Sequence, residues 1–281
     1  MKNLSFRKFL VVLIVLALLL IANQMIRSVV MDRIHNREAA EHSVAEGLAG
    51  PQTLAGPMLK VSYTERFTEK VFDEKGNFLR QEERAKNIEH LILPEALRLN
   101  GHLENQTRYR GVFHVNTFLL SGSLQGKLHL PKLEELPRFR PDSSLSLNGV
   151  EALLAVSDPR GLRQLSLKLA GQPLQMEAGS GIKTAASGAH ANLPDFSAFL
   201  GRTLDFEAEL QLAGTRSFSM LPLGRQTVAS LASNWPDPSF DGRFLPVSHK
   251  IHDKGFEAEW QVSNIASGAR QAWESEEGRT L

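Results

Sequence analysis

Residues 206–212 read FEAELQL, and residues 256–262 read FEAEWQV. In both stretches apolar side chains alternate with two glutamates and a glutamine. Successive side chains of a β-strand point to opposite faces, so this pattern predicts strands with one buried face and one solvent-facing side. The glutamates at 207, 209, 257 and 259 then lie in water, with no apolar surroundings to raise a carboxyl pKa. This placement argues against acid–base catalysis by them.

The same alternation recurs along the chain after Pro51. MLKVSY (58–63) precedes TEKVFDEKGNFLRQEE (68–83), in which Lys75-Gly76-Asn77 forms a corner that predicts a hairpin. Further strand-length segments begin at Ala96, Arg110, Leu124, Ser144, Leu162, Leu204 and Gly255. Strands punctuated by turn signals at this spacing favour a mainly β fold, namely a large antiparallel β-sandwich-like domain.

Two short stretches of similar sequence bear on domain organisation. SLQGKLHLP (123–131) and SFDGRFLP (239–246) share one turn-to-strand pattern, which suggests two related lobes at about 51–140 and 141–273. LAGQPLQMEAGSGIKTAASGAHANLP (169–194) is rich in small residues and indicates a flexible or weakly paired stretch. We therefore expect a β-rich domain over 51–273 and a polar tail over 274–281.

The N-terminal region predicts a membrane anchor. Residues 9–22, FLVVLIVLALLLIA, carry no polar side chain, and a helix over residues 6–26 reaches across a hydrocarbon core of roughly 30 Å. A cleaved signal peptide has a similar pattern, but Ile21-Ala22-Asn23 is a poor small-residue cleavage site, which favours an uncleaved anchor. The side chains expected to face lipid include Phe9, Leu13, Leu16 and Leu20. Lysines and arginines balance on the two sides, so charge alone does not orient the helix.

Residues 27–50 predict a stalk that continues the anchor, giving a first segment over 1–50. This stretch has no glycine or proline before Gly47 and carries apolar residues at near-helical spacing. A dimerising coiled coil is an alternative. However, Arg37 and Glu41 fall on the same stripe, and only about two heptads are present. A helix that rests on the β domain is the favoured interpretation.

Composition limits the function classes. The net charge is +1 and there are no cysteines, so we expect no nucleic-acid partner and no zinc–thiolate site. His249 and His252, beside Asp253, would point to opposite faces of a strand, which argues against a metal site. No G-x-S-x-G, P-loop or G-x-G-x-x-G motif occurs, and we predict no cofactor.

Ser180 and Lys183 match S-x-x-K, a nucleophile motif of penicillin-binding proteins. That chemistry needs the serine at the start of a buried helix, whereas glycines at 179 and 181 indicate a loop, and no S-D-N motif accompanies it. An envelope hydrolase acting on peptidoglycan or β-lactams therefore stays an alternative. A lipid carrier that uses the space between β layers is another.

The stretch NWPDPSFDGRFLP (234–246) predicts a rigid connector. Pro236 and Pro238 cannot donate ladder hydrogen bonds, and Trp235 and Phe240 can staple the connector onto the core. Gly242 permits a bulge, after which RFLP (243–246) is expected to resume as a strand. We interpret this stretch as scaffold in preference to a binding or catalytic loop.

These stretches carry a family resemblance. AGPMLKVSY (55–63), ILPEALRLNGHLE (92–104) followed by RYRGVFHV (108–115), SDPRGL (157–162), the connector and GFEAEWQV (255–262) together resemble the CreD family of inner-membrane, cell-envelope integrity proteins. The signature positions that we expect to be structural are Trp235, Pro238, Phe240, Gly242, Leu245, Pro246, Gly255, Phe256 and Trp260.

The resemblance implies an inner-membrane anchor, a large periplasmic β-rich domain and several further membrane helices after it. Here the chain continues with the polar ESEEGRTL (274–281), and NIASGARQAW (264–273) lacks the arginine-proline run expected of the family. The family is associated with envelope stress and β-lactam tolerance and brings no catalytic residues. We therefore expect a single-pass, non-catalytic protein that contacts the bilayer and binds an envelope protein or a cell-wall component.

Overall fold

The computed structural model describes residues 2–182, 187–269 and 272–274. Helix α1 (Lys2–Gly47) is one continuous helix of 46 residues, so the predicted anchor and stalk form a single element. The part from Phe9 onward is long and apolar enough to cross a membrane, and its apolar window is 0% buried against the protein. The four predicted anchor side chains are 51–64% exposed.

The remaining described residues form two β-sheets. The strands are β1 (Gln52–Phe72), β2 (Phe78–Ile92), β3 (Ala96–Arg110), β4 (Phe113–Leu130), β5 (Ser144–Val156), β6 (Leu162–Leu169), β7 (Gln172–Leu174), β8 (Glu177–Ala178), β9 (Gly188–Asn192), β10 (Arg202–Thr215), β11 (Phe218–Met220), β12 (Gln226–Ser233), β13 (Ser248–His252), β14 (Gly255–Ser263) and β15 (Ala272–Glu274). A short helix α2 (Asn264–Ser267) follows β14.

Within the described residues, the first sheet has the order β15-β2-β1-β5-β9-β8, with β11 beside β1. The second has the order β13-β14-β12-β3-β4-β10-β6-β7. Most neighbouring strands are antiparallel, while β1–β11 and β3–β12 are parallel pairs. Tyr63 and Leu154 of the first sheet share one apolar core with Leu124 and Phe206 of the second. The predicted mainly β, sandwich-like fold is confirmed.

The alternating stretch that opens the sequence behaves as predicted. In β10, Phe206 and Ala208 are buried while Glu207 and Glu209 are exposed. The strand pairs with β4 on one side and β6 on the other, so its backbone is satisfied and only the outward side chains reach solvent. β14 repeats the pattern beginning at Phe256.

The predicted β1–β2 hairpin is also present. The carboxylate of Asp73 accepts hydrogen bonds from the backbone N–H of Lys75 at 2.9 Å and of Asn77 at 2.8 Å. Gly76 has φ +81°, a left-handed conformation that suits glycine. The turn chemistry therefore fixes this corner.

Two local expectations are corrected by the structure. From Phe113 onward, the segments expected to begin at Arg110 and Leu124 form one strand, β4, of 18 residues, and Arg110 itself ends β3. β4 is continuous because it pairs with β3 and with β10 through the intervening Ser121-Gly122-Ser123. Residues 243–246 are irregular and β13 begins only at Ser248, since the connector packs through side chains and not through a ladder. In the small-residue stretch 169–194, the described residues beyond β6 form only the short strands β7 to β9, of two to five residues, in keeping with the weak pairing expected there.

The strands from the two suggested lobes are interleaved. Each sheet contains strands from residues 51–140 and from residues 141–273, as β1 beside β5 and β4 beside β10 illustrate. The break at residue 140 therefore falls between strands of a shared two-sheet structure.

The domain has two distinct ends. At the first, the carbonyl of Gly50 accepts a hydrogen bond from the N–H of Thr215, whose partner in β4 is Thr117. At the second, the Tyr63 hydroxyl donates to the carbonyl of Pro137, beyond the last residue of β4. β1 therefore runs away from α1, alongside β4. We call the end that holds α1 the near end and the end that holds the β1–β2 turn the remote end.

Candidate functional site

At the near end, α1 meets the β domain through a cluster that we call the junction lock, formed by Gln52, Asp158 and Arg160. The Asp158 carboxylate accepts hydrogen bonds from the Gly50 N–H at 3.0 Å and from Arg160 Nη2 at 2.7 Å. Arg160 Nη1 donates to the carbonyl of Glu46, at 2.7 Å, in the last turn of α1. A guanidinium bound to a final carbonyl satisfies an otherwise open helix C-terminus. The lock therefore ties the end of α1 to the loop between β5 and β6.

Gln52 extends the lock into both sheets. Its side chain is buried, and Nε2 donates to the carbonyls of Asp158 at 2.9 Å and Ala213 at 3.1 Å. Gly161 packs against the same groups. A Cβ on Gly161 would lie 2.1 Å from the Ala213 carbonyl oxygen and 2.4 Å from Gln52 Nε2. The stretch SDPRGL thus provides a carboxylate, a guanidinium and a glycine to one tight junction.

The lock contains an ion pair between Asp158 and Arg160. The hydrogen bond from the Arg160 side chain is the main reason that the pKa of Asp158 is lowered to about 2. Burial acts in the opposite direction, and the backbone N–H bonds from Gly50 and Arg160 lower the pKa further. The carboxylate also raises the pKa of Arg160. Both groups are therefore charged at neutral pH.

Next to the lock, α1 and the β domain enclose a crevice of about 280 Å³ that includes Trp235 of the connector. Glu41 of α1 lies between two arginines, 3.1 Å from Arg37 Nε and 3.4 Å from Arg216 Nε. His114 of β4 contributes to the opposite wall. These charges face each other across the helix–domain contact, so the crevice extends the junction and supports the interpretation of α1 as a helix resting on the domain.

The remaining signature residues act as scaffold. Phe240 packs edge-on against Phe256 at 5.3 Å and Trp260 at 5.6 Å between ring centroids, and this contact staples the connector to β14. Gly255 has φ +147°, and a Cβ there would lie 1.9 Å from the Ser233 carbonyl oxygen. Only glycine fits this approach of β14 to β12.

Other signature positions lie on the surface of the connector. Gly242 is exposed with φ +99°, and Leu245 is 64% exposed. Pro238 and Pro246 are half-buried. These four positions shape the connector without a polar group directed at a ligand.

At the remote end, an exposed cluster lies beyond the last residue of β4. We call it the remote aromatic surface, formed by Phe67, Lys86, Phe139 and Arg140. Phe139 is 62% exposed, and its ring centroid is 5.7 Å from that of Phe67. Lys86 Nζ lies 5.4 Å and the Arg140 guanidinium 5.5 Å from the Phe139 ring centroid, within cation–π range.

A buried glutamate holds this surface in place. Glu65 accepts hydrogen bonds from the backbone N–H of Phe139 and of Arg140, both at 2.8 Å. Burial pushes the pKa of Glu65 upward, but hydrogen bonds from Ser143 and the two N–H groups, with the charge of Lys86, leave it below the ordinary value. The sequence contained a signal for this residue. Glu65 follows Val61 and Tyr63 on the buried face of an alternating strand, where a carboxylate needs dedicated donors.

The chemical constellations considered from the sequence are placed as follows. Ser180 is buried, and its Oγ accepts the N–H of Ile182 at 3.1 Å, while Lys183 lies outside the described residues. His249 and His252 are exposed. Among residues 2–182, 187–269 and 272–274, no group of three or more metal-ligating side chains is close enough to hold an ion.

The loop around Ser180 has a supporting role that the sequence did not reveal. Lys60 Nζ lies 2.7 Å from Glu151 Oε2 and donates to the carbonyl of Gly181 at 3.0 Å. This pair, formed between β1 and β5, holds the loop over the outer face of the first sheet, where Ile182 packs on Met58 and its neighbours.

Comparison with known proteins gives the family. The family model described as "Inner membrane protein CreD" matches residues 5–280. The inner membrane protein CreD of Escherichia coli K12 is 30% identical over 267 residues, which cover 92% of this chain. The match spans 57% of the length of that relative. The chain, with its apolar N-terminal helix and its locked two-sheet domain, therefore belongs to the CreD family of inner membrane proteins.

Proposed function

We propose that this protein holds its β domain on the periplasmic side of the inner membrane and supports envelope integrity by binding a partner without chemical turnover. The observation that carries the proposal is the junction lock, which fixes a membrane helix to a long domain. β1 has 21 residues, so it extends up to about 70 Å from the junction. The remote end is thereby presented far from the bilayer.

The remote aromatic surface is the proposed binding surface. Exposed phenylalanine beside arginine is enriched at protein interfaces, and rings held in a fixed geometry lose little entropy on binding. Further along the hairpin, toward the β1–β2 turn, Phe72, Phe78 and Leu79 are also exposed, at 54%, 54% and 59%. A protein partner fits this composition better than a sugar polymer, so we take an envelope protein as the partner.

The location can be tested with a single cysteine, because the chain has none of its own. Lys75→Cys lies in the β1–β2 turn, where only the backbone N–H of Lys75 is used by Asp73. We expect a membrane-impermeant maleimide to label this variant once the outer membrane is permeabilised, with the inner membrane intact. Labelling only after the inner membrane is also breached would place the domain in the cytoplasm and overturn the proposal.

The binding surface can be tested by complementation of a deletion strain under detergent and β-lactam stress. We expect the variant Phe67→Ser with Phe139→Ser to be made at normal levels and to lose protection. Ile265→Ser is the matched control, since Ile265 is an apolar residue 91% exposed at a different place, in α2. Full protection by the double variant would remove the remote aromatic surface from the proposal.

Turnover is tested separately. Mass spectrometry of the purified protein after exposure to penicillin should give no acyl adduct on Ser180, and Ser180→Ala should complement fully. An adduct would favour the hydrolase alternative. Native mass spectrometry with stoichiometric copurified lipid inside the β domain would favour the carrier alternative.

A further inference from the structure

The hairpin between β3 and β4 leaves the near end as a free two-stranded ribbon. β12 pairs with β3 only as far as Leu103, and β10 pairs with β4 only from Thr117 onward. Within the described residues, 104–116 therefore have no strand partner outside the hairpin. Hydrogen bonds hold its base: the Asn234 side chain bonds to the N–H and the carbonyl of Asn105, and the Asn116 carbonyl accepts the N–H of Arg216. At its tip, Tyr109 is 69% exposed and Val112 is 85% exposed.

The ribbon points toward the membrane segment of α1. Gly50, after the end of α1, is bonded to Thr215, the partner of Thr117. Further back along α1, Glu41 lines the same crevice as His114. Residues closer to the tip of the hairpin therefore lie beside residues closer to the N-terminus of α1. The ribbon descends beside the helix and does not turn away from it.

The lengths bring the tip to the membrane surface. His114 lies level with Arg37 and Glu41, which line the same crevice. From His114 to Val112 the strand advances about 7 Å, equal to four or five residues of helix, which places the tip level with about residues 32–37 of α1. A span of about 20 residues that begins at Phe9 leaves the hydrocarbon core near Ser28, and the headgroup layer adds a further 5 to 7 Å, or about four residues. The lower end of the range 32–37 therefore reaches the outer headgroups, and the long side chains of Arg108 and Arg110 extend the reach of the tip.

The chemistry of the tip fits that layer. Tyr109 and Val112 supply an amphipathic ring and an apolar wedge, and the Tyr109 ring packs on His114 at 4.6 Å across the ribbon. Arg108 and Arg110 are exposed and flank the tyrosine. By contrast, the turn at the remote end is acidic, with Asp73 and Glu74 ahead of Lys75.

We propose that the β3–β4 tip is a second membrane contact, which inserts into the headgroup layer of the bilayer that α1 crosses, with its arginines on anionic lipid phosphates. The contact would set the tilt of the β domain on its anchor. It requires α1 to be embedded but does not depend on which side of the membrane the domain occupies or on any partner.

The test uses the full chain in lipid nanodiscs with an environment-sensitive fluorophore on Val112→Cys. We expect a blue-shifted emission that is quenched by lipids carrying a nitroxide at the headgroup, and stronger quenching when phosphatidylglycerol is included. Adding Arg108→Gln and Arg110→Gln to Val112→Cys removes both arginines. Each lost arginine should lower the ratio of inserted to withdrawn tip by roughly fivefold. High salt should also lower this ratio, because it screens the attraction to anionic lipid.

Lys75→Cys with the same fluorophore is the matched control at the remote end and should be neither shifted nor quenched. Emission and quenching at position 112 equal to those at position 75 would overturn the proposal, whether both probes are in water or both on lipid. Thermal unfolding of each labelled variant at the wild-type temperature verifies that the comparison is made on folded protein.

Discussion

The near and remote ends of the β domain use the same device for different purposes. At each end a carboxylate accepts backbone N–H bonds from a segment distant in sequence, Asp158 from Gly50 and Glu65 from Phe139 and Arg140. Asp158 joins a membrane helix to two sheets, whereas Glu65 shapes one loop on one strand. The difference indicates that the near end sets orientation and the remote end sets the form of a surface.

The difference between the two ends is tested most strongly by disturbing the packing at the near end. We expect Gly161→Ala to lower the free energy of unfolding by about 3 kcal/mol, because the added Cβ overlaps the Ala213 carbonyl and Gln52. Denaturant unfolding in detergent measures it. Gly149→Ala in β5, where a Cβ meets open space, is the control and should change stability by less than about 0.5 kcal/mol. Equal effects would mean that the junction yields easily.

The next largest effect is expected from Asp158→Asn, at about 2 kcal/mol, because charge-assisted hydrogen bonds to Gly50 and Arg160 are weakened. The orientation should loosen as well. Spin labels on Asp32→Cys and Lys75→Cys should give a broader distance distribution in the variant than in the parent. A distribution of unchanged width would contradict the assignment of orientation to the near end.

The lowered pKa of Asp158 adds a pH test of the same residue. The pKa of Asp158 is about 2 in the folded protein against an ordinary value of 3.8, so the stabilisation is fully present above pH 3.8 and is lost as the pH falls toward about 2. We expect acid unfolding of the parent to steepen in that interval and the Asp158→Asn variant to lack this contribution.

A smaller effect is expected from Glu65→Gln, at about 1.5 kcal/mol, because two N–H groups keep an acceptor but lose its charge. Amide hydrogen exchange should rise in the loop at 137–143. The label distance between positions 32 and 75 should keep its parental width. Broadening of that distance here would erase the distinction between the two ends.

The smallest effect comes from His90, which lies between the two ends. It is buried on the core side of β2 with no partner for Nδ1 among the described residues, and burial lowers its pKa below 6.5. The unfolded chain therefore binds a proton first, so stability falls as pH drops below 6.5 toward the folded pKa. His90→Leu should reduce the dependence of stability on pH in thermal melts from pH 7 to pH 5. An unchanged dependence would mean that another group causes it.

The sequence was most informative where a regular period meets a buried face. The strands that contain Phe206 and Phe256 were predicted because a two-residue alternation of apolar and polar side chains fits only a strand with one buried face. The unbroken helical spacing through residue 47 predicted the length of α1. Phe240 was identified as a staple because prolines on its N-terminal side ruled out a ladder. The fusion of β4 was missed because glycine and serine resemble a turn unless partner strands on both sides are known.

The junction lock could not be predicted for a different reason. Gln52 and Asp158 are distant in sequence, and polar pairs of this kind have no period. The sequence from Asp158 to Gly161 shows the carboxylate, the guanidinium and the glycine of the lock. It does not show that they contact the end of α1 and Gln52. Glu65, in contrast, was within reach of sequence reasoning, because its alternation places it on the buried face.

The way α1 continues into β1 determines how the domain bears load. A pull on the anchor enters β1 at Gln52 and runs along a strand that is hydrogen-bonded to β2 on one side and to β5 on the other. Antiparallel ladders pulled along their length are loaded in shear, so many hydrogen bonds share the force and none is opened singly. A domain attached in this way would stay folded under a pull along the anchor that would unzip a terminal hairpin.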